Sequence, residues 1–460
     1  VNSGIDARSL GSPDNPLQVA IVGSGPAGFY AAEALLKLPL TVRVSMLERL
    51  PVPFGLVRYG VAPDHPKLKL PTLVFDKVAR SPGYAFFGNV MVGRDISVAQ
   101  LQASHHAIVF AYGAEKDRRL GLANEDIPGS HTATEFVAWY NGHPDYRDCT
   151  FDFSNEVAVI IGNGNVAIDV ARILAKPVDE LRLTDMAEHA LDSLATSRVR
   201  EIHIVGRRGP VQANFTTKEL RELGEIGGWA PVVSAADLQL GAACRAELEQ
   251  RKESIAAANM ATLRGWLARP VTAAAKRIVF HFLKSPVMIR GDGQLQQVLL
   301  EQNRLIGSPF AQVAQGTGHN VELTAGLMFR SIGYLGLPLP GVPFNASRGI
   351  IPNEAGRVSE TVGLYATGWI KRGPSGIIGT NRADAVATVQ TVLADLAQLS
   401  QQPKPGSQGL AITLSGTNIR AVSYDGWLRI DAQERARGAS KGQPRNKLTR
   451  MDDMMAAAAM

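Results

Sequence analysis

Cysteine is almost missing from this chain. The 460 residues include two, Cys149 and Cys244, far apart and in no Cys-x-x-Cys pair. A disulfide framework, a redox dithiol and any zinc or iron–sulfur site built from this chain's own thiols are therefore excluded. So few thiols fit a reducing compartment, and a cytoplasmic location is expected. Aromatic residues are sparse at 6%, and no basic run is interleaved with them, so no nucleic-acid partner is expected. No apolar run reaches the roughly 18 residues of a membrane-spanning helix, so no membrane insertion is expected. Residues 1–16 have no apolar stretch of the kind a secretory signal carries and read as a flexible tail. Neither sign of charge dominates: 48 Lys and Arg against 42 Asp and Glu leave a formal +6. That excess fits a generally solvated surface or a basic patch for an acidic partner, and by itself leaves both open.

Glycine, by contrast, is plentiful, with 45 residues, many of them clustered at the ends of apolar runs. The length exceeds one hydrophobic core and predicts two domains or three. Residues 17–22 form a β-rich run entering glycines, residues 29–36 carry Ala and Leu at helical spacing, and residues 42–47 are a second β-type run. That is the opening of a doubly wound α/β domain. Residues 106–114 read as a further buried strand, residues 156–162 begin a second unit of the same kind, and residues 202–205 are its next strand. Residues 280–283 and 298–300 read as strands of a smaller sheet. The runs 327–333 and 364–368 again end at glycine. Because nucleotide-type strands recur near residue 365, the fold predicted is α/β with two Rossmann-like dinucleotide-binding domains. The first is discontinuous, 17–114 with 334–460, and the second, 115–333, is inserted in it. Residues 401–409 read as a linker and residues 454–460 as a frayed helix.

Gly23-Ser24-Gly25-Pro26-Ala27-Gly28 fits Gly-x-Gly-x-x-Gly between a strand and a helix. Gly23 permits the tight turn, Gly25 lets a pyrophosphate approach the backbone, and Gly28 lets helix and strand pack closely. Pro26 and Ala27 open the helix, whose free N–H groups and dipole favour phosphate. Glu48 follows Gly28 by 20 residues, where a carboxylate accepts from both ribose hydroxyls and repels a 2′-phosphate. This unit is expected to take FAD or NAD. Gly162-Asn163-Gly164-Asn165-Val166-Ala167 repeats the pattern, but the following strand ends at Gly206-Arg207-Arg208-Gly209. Guanidinium groups bind phosphate through bidentate charge-assisted bonds, so this unit is expected to prefer NADPH to NADH. About 40 residues separate Ala167 from Arg207, where about 20 is usual, so residues 179–198 are expected to loop out. Two cofactor sites in one chain imply hydride transfer from a nicotinamide to a flavin.

Beyond the loops, Pro53-Phe54-Gly55-Leu56-Val57-Arg58 and Gly60-Val61-Ala62-Pro63-Asp64-His65-Pro66 resemble the adrenodoxin reductase family and its bacterial ferredoxin reductase relatives. So do GNGNVAIDVAR from Gly162, VGRRGP from Val205, FTTKELRE from Phe215, GWIKRGPSGIIGTN from Gly368 and WLRIDAQERARGASKGQPRNKL from Trp427. The resemblance runs from about residue 17 to about residue 450. It implies an NADPH:ferredoxin oxidoreductase, with FAD in the discontinuous domain and NADPH in the inserted one. Ser24, Ala27, Glu48, Leu56 and Val92 would contact FAD, and Trp369 with Gly376-Ile377-Ile378 would hold its flavin end. Asn163, Gly164, Asn165 and Val166 would cradle the NADPH pyrophosphate, and Arg207 and Arg208 would take the 2′-phosphate. Glu219 and Gly376 would lie beside the nicotinamide ribose. His65 and Glu222 would tune hydride transfer; His65 reads equally well as a loop histidine bonded to backbone. A glycine turn at 376–379 would bring N–H groups to the flavin O2/N1 edge. Many flavoproteins carry Asp where this chain has Trp369, which separates it from the disulfide reductases. The partner implied is an acidic ferredoxin, and the chain is expected to be monomeric. A flavin-dependent monooxygenase or another NADPH-dependent flavin reductase is the alternative.

Overall fold

The structure, a computed structural model, describes residues 9–269, 276–359 and 361–460. The chain divides into two compact units, Val1–Lys116 with Gly333–Met460, and Asp117–Ile332. The expected seams lay at 114/115 and 333/334.

In the first unit, seven strands lie in the order Asn353–Glu354, Arg357–Val358, Leu364–Ala366, Ala107–Phe110, Leu17–Val22, Val42–Leu47, Tyr84–Phe87. The last five run parallel. The central strand LQVAIV is buried at every position because both faces of the sheet are covered, as parallel sheets require. Its period of two divides the core. Leu17, Val19 and Ile21 join Phe29 and Leu35 of the helix Pro26–Leu36 and Val389 of the helix Thr380–Ala394. Ala20 and Val22 join Leu101 of the helix Val98–Ser104 and Leu410 of the helix Gly406–Ser415. Leu364–Ala366 comes from beyond the inserted unit and pairs with Ala107–Phe110, which is why this unit is discontinuous.

The second unit repeats the plan in a parallel six-stranded sheet, ordered Ser130–Thr132, Leu327–Arg330, Val157–Ile161, Glu201–Val205, Lys276–His281, Trp229–Val233. Beside it lies a three-stranded antiparallel sheet, Lys284–Arg290, Gln297–Ile306 and Val313–Thr324.

Five expectations need correction. Phe280 belongs to the large parallel sheet, because its strand pairs on both sides with Glu201–Val205 and Trp229–Val233; residues 298–300 do lie in the smaller sheet. Residues 179–198 do not loop out. Helices Val178–Leu181 and Glu188–Ala195 bury Leu181, Ala190, Leu191 and Leu194 at helical spacing in the core. Residues 9–16 are not a loose tail: Leu10, Ser12 and Asn15 are buried, the Gly11 carbonyl accepts from Thr41 N (2.7 Å), and Asn15 Nδ2 donates to Gln401 O (2.8 Å). Residues 1–8 of that expected tail lie outside the described residues. The expected linker 401–409 already starts the helix Gly406–Ser415. Residues 454–460 do not fray: in the helix Met451–Ala459, Met454, Ala457 and Ala458 are buried, and it packs on Tyr424–Ala439.

Candidate dinucleotide sites

The glycines of the first loop fall into two kinds. Gly23 (φ +104°) has the left-handed backbone that favours glycine, and a Cβ on it would lie 2.6 Å from the Tyr112 Cα. A Cβ on Gly28 would lie 2.1 Å from the Gly23 carbonyl oxygen. Those two serve the fold. Gly25 does not: its φ of −75° suits any residue, and a Cβ there would have nothing within 4 Å. Among the described residues nothing stands where a methyl group at Gly25 would go, which leaves that space to a bound group. Gly25 also caps the helix Pro26–Leu36 with no side-chain hydrogen bond, leaving first-turn N–H groups for an anion. At the end of the neighbouring strand, Glu48 takes Ser24 Oγ (2.6 Å) and Ser24 N (3.2 Å) on Oε2 and Leu50 N (3.1 Å) on Oε1. A carboxylate has about four lone-pair sites, so ribose hydroxyls can still donate to this half-buried one.

The segment after Pro53 folds onto this loop. Phe54 N donates to Ser24 O (3.0 Å), and a Cβ on Gly55 would come within 3.0 Å of the Gly25 Cα. Leu56 follows, half exposed, while Val92 is buried with Val22, Leu47 and Val90. At the end of Leu364–Ala366, Trp369 stacks on Tyr334 with centroids 5.7 Å apart and donates from Nε1 to Ser375 O (3.2 Å). Gly376 has φ +82° and is exposed. The N–H of Ile377 donates to the exposed Thr380 Oγ1 (2.7 Å), and Ile378 packs on the core.

Sequence reasoning passed over what holds this turn. Asp384 accepts from Gly368 N (2.6 Å), Thr367 Oγ1 (3.2 Å) and Arg372 Nη1 (2.9 Å), with Lys371 Nζ at 2.8 Å. Arg372 also donates to Asn381 Oδ1 (3.0 Å). Two adjacent cations and an acid 12 residues on were the signal. Also missed was Arg58, buried against Glu434 and lying 5.2 Å from the Trp427 ring centroid. Glu434 further accepts from Arg445 Nη1 (3.0 Å) and Leu448 N (2.9 Å).

The second loop repeats the division of labour. A Cβ on Gly162 would lie 2.1 Å from the Ser331 carbonyl oxygen, whereas Gly164 has φ −110° and open space around its Cβ position. Gly164 caps the helix Asn165–Ala175, again without a side-chain bond. Asn165 Oδ1 accepts from Thr216 N (2.8 Å), Asn163 O accepts from Asn214 N (2.8 Å), and Val166 and Ala167 pack on the core. Asn163 Oδ1 is buried with no hydrogen-bond partner among the described residues, an acceptor that a bound group would satisfy. Arg207 is exposed and Arg208 half-buried, and neither guanidinium has a hydrogen bond or ion pair among the described residues. Glu219 is committed to a buried pair with Arg172 (2.8 Å), which also binds Asp169 (2.6 Å). Glu222 is half-buried with Lys218 Nζ at 3.5 Å. His65 belongs to the other unit, buried in a turn where its N–H donates to Ala62 O (3.0 Å). Both loops thus fit a dinucleotide: each carries a glycine that neither backbone nor neighbours demand, at a helix start with no side-chain cap.

Known proteins share this design. The family model described as pyridine nucleotide-disulphide oxidoreductase matches residues 17–205. NADPH-ferredoxin reductase FprA of Mycobacterium tuberculosis is 43% identical over 452 residues, covering 96% of this chain and 98% of that one. The mitochondrial NADPH:adrenodoxin oxidoreductase of Bos taurus is 43% identical over 452 residues, covering 95% of this chain and 91% of its own. The structure titled Mycobacterium tuberculosis FprA in complex with NADPH superposes with a TM-score of 0.92 at 42% identity, over 97% of this chain and 100% of that chain. The two strand–glycine–helix units fit, and these near-full-length likenesses place the chain in, the adrenodoxin reductase family of NADPH–ferredoxin reductases.

Proposed function

We infer that the protein is an FAD-dependent NADPH:ferredoxin oxidoreductase. The observation that carries this reading is the contrast between the two strand ends: a carboxylate at Glu48, and at Arg207 and Arg208 two guanidiniums that have no partner among the described residues. A carboxylate accepts a diol and rejects a phosphate, and a guanidinium pair does the reverse. The unit holding Glu48 takes FAD and the inserted unit takes NADPH. Bound FAD supplies the conversion of a two-electron hydride into single electrons. Everything else is done by the chain. Gly25 and Gly164 admit the pyrophosphates, the uncapped helix starts supply N–H donors, and the Asp384 network holds the 368–378 turn at the flavin end. With no thiol pair to carry electrons, the acceptor is a separate protein. The relatives' names point to a ferredoxin, and the excess of basic residues favours an acidic one. We further assign the chain as a cytoplasmic monomer; no helix among the described residues is long and apolar enough to cross a membrane.

The test is ferricyanide reduction by the purified yellow protein with NADPH and with NADH. Replacing both Arg207 and Arg208 by Ala should cost NADPH about 2–4 kcal/mol in kcat/KM, from the loss of charge-assisted phosphate contacts, and leave NADH unchanged. An unchanged preference for NADPH sinks the assignment of these arginines.

A further inference from the structure

The small antiparallel sheet has no place in the nucleotide-binding plan of the second unit, yet it reaches the arginine turn. The strand Gln297–Ile306 has an irregular register between Glu301 and Asn303. At that irregularity Asn303 is buried, and its Nδ2 donates both to Arg207 O (2.9 Å) and to Ser285 Oγ (2.8 Å). Its backbone N donates to Leu283 O (2.7 Å), whose own residue donates from N to Arg208 O (3.1 Å). Lys284 N donates to Gly206 O (3.0 Å). Every carbonyl of Gly206-Arg207-Arg208 therefore accepts a bond from the segment 283–303, and the one bond made by a side chain is that of Asn303. Arg207 is exposed and Arg208 half-buried, and neither guanidinium has an ion pair among the described residues to orient it, so these bonds to the three carbonyls are what hold the turn's peptide planes on that side.

We propose that Asn303 is a positioning residue for coenzyme selectivity: it fixes the Arg207 peptide so that the two guanidiniums converge on the 2′-phosphate of NADPH. It touches no cofactor and acts through the turn. The inference rests on the reading of Arg207 and Arg208 as phosphate ligands. The adenine, pyrophosphate and nicotinamide contacts are common to both coenzymes, so losing the Asn303 bond should be felt by NADPH alone.

The test measures KM and kcat for NADPH and NADH in the flavin-loaded Asn303→Ala enzyme. The KM for NADPH should rise roughly ten-fold, as expected for a lost hydrogen bond to a buried group. The NADH constants and kcat should stay within about two-fold, a split that a general loosening of the fold would not give. In an Arg207→Ala/Arg208→Ala background, adding Asn303→Ala should change nothing further for NADPH. Equal rises for both coenzymes, or no rise for either, overturn the proposal. If Asn303→Ala does not yield folded protein, Ser285→Ala removes the second acceptor that orients the amide. It should show the same NADPH-specific split at smaller size, and equal effects on both coenzymes again overturn the proposal. Should the double arginine variant keep its preference for NADPH, the phosphate reading fails and the clamp with it. Should that preference be lost while Asn303→Ala retains it, the clamp alone fails.

Discussion

At the scale of single residues, the sharpest contrast lies between glycines that look alike in sequence. Gly28 is required by the Gly23 carbonyl 2.1 Å from its Cβ position, whereas Gly25 faces open space at an ordinary φ. Gly25→Ala should therefore fold with the melting temperature of the flavin-free wild-type protein but purify with much less FAD, read from the ratio of flavin to protein absorbance. Gly28→Ala should be destabilised outright. If Gly25→Ala lost stability while keeping its flavin, the space at Gly25 would not be a phosphate site. The crowded turn at Gly23 and Gly28 and the place of Glu48 at its strand end were legible in the sequence, because both are set by spacing within one strand–turn–helix unit. Asn303 was not: it bonds a carbonyl 96 residues away, and nothing in an isolated Asn announces a buried donor. Glu219 was singled out for a ligand, and the structure adds a partner, Arg172, buried beside it.

At the scale of elements, the tail of the chain closes on the first unit through one buried charge pair. Arg58, in the short helix Leu56–Tyr59, meets Glu434 of the helix Tyr424–Ala439, and Glu434 in turn gathers Arg445 and Leu448 N. Breaking a buried pair leaves an uncompensated charge and costs about 3–5 kcal/mol. Glu434→Ala should lower the denaturation midpoint accordingly. Because the segment carrying Arg58 also packs on Gly25, flavin should dissociate more readily at temperatures below unfolding. A variant with normal stability and flavin retention would show that the pair is dispensable. Elements were legible wherever apolar periodicity was strong, as in residues 17–22, 42–47 and 202–205. They were missed where burial uses small or weakly contrasted residues. Met454, Ala457 and Ala458 are buried, but alanine carries little helical-face signal, and the helix Glu188–Ala195 hides its apolar face among acids, a histidine and a serine.

For the molecule as a whole, each unit holds a histidine whose surroundings disfavour its charged form, the buried His105 in the first and the half-buried His281 in the second. His105, bonded to Ser45 Oγ and Ser104 Oγ, is pushed down to about 4 by burial. His281 is pushed down to about 3 by burial, with the charges of His203 and Lys284 adding to it. Unfolding returns both to about 6.5, so the unfolded chain binds more protons below that pH. Their contribution is complete above pH about 6.5 and is lost as the pH falls toward 4, at about 1.4 kcal/mol per pH unit for each proton. Urea titrations from pH 7 to pH 5 should show falling stability, and His105→Gln should flatten the slope by one proton; an equal slope in the variant would count against a neutral His105. The two-fold α/β plan could be read from recurring strand–glycine patterns, which survive insertion because each is local. The seams could be read only to within a few residues, since no composition change marks them.

The strand Leu364–Ala366 also has a consequence for how the protein is made. A ribosome delivers residues in order, and the six parallel strands of the inserted unit have all emerged once residue 330 is out. At that moment the strand Ala107–Phe110, buried at all four positions in the finished sheet, still lacks its neighbour on one side. The older half of the nascent chain thus carries an open, apolar sheet edge while its younger insert is already able to close, a window in which pairing with another polypeptide competes with completion.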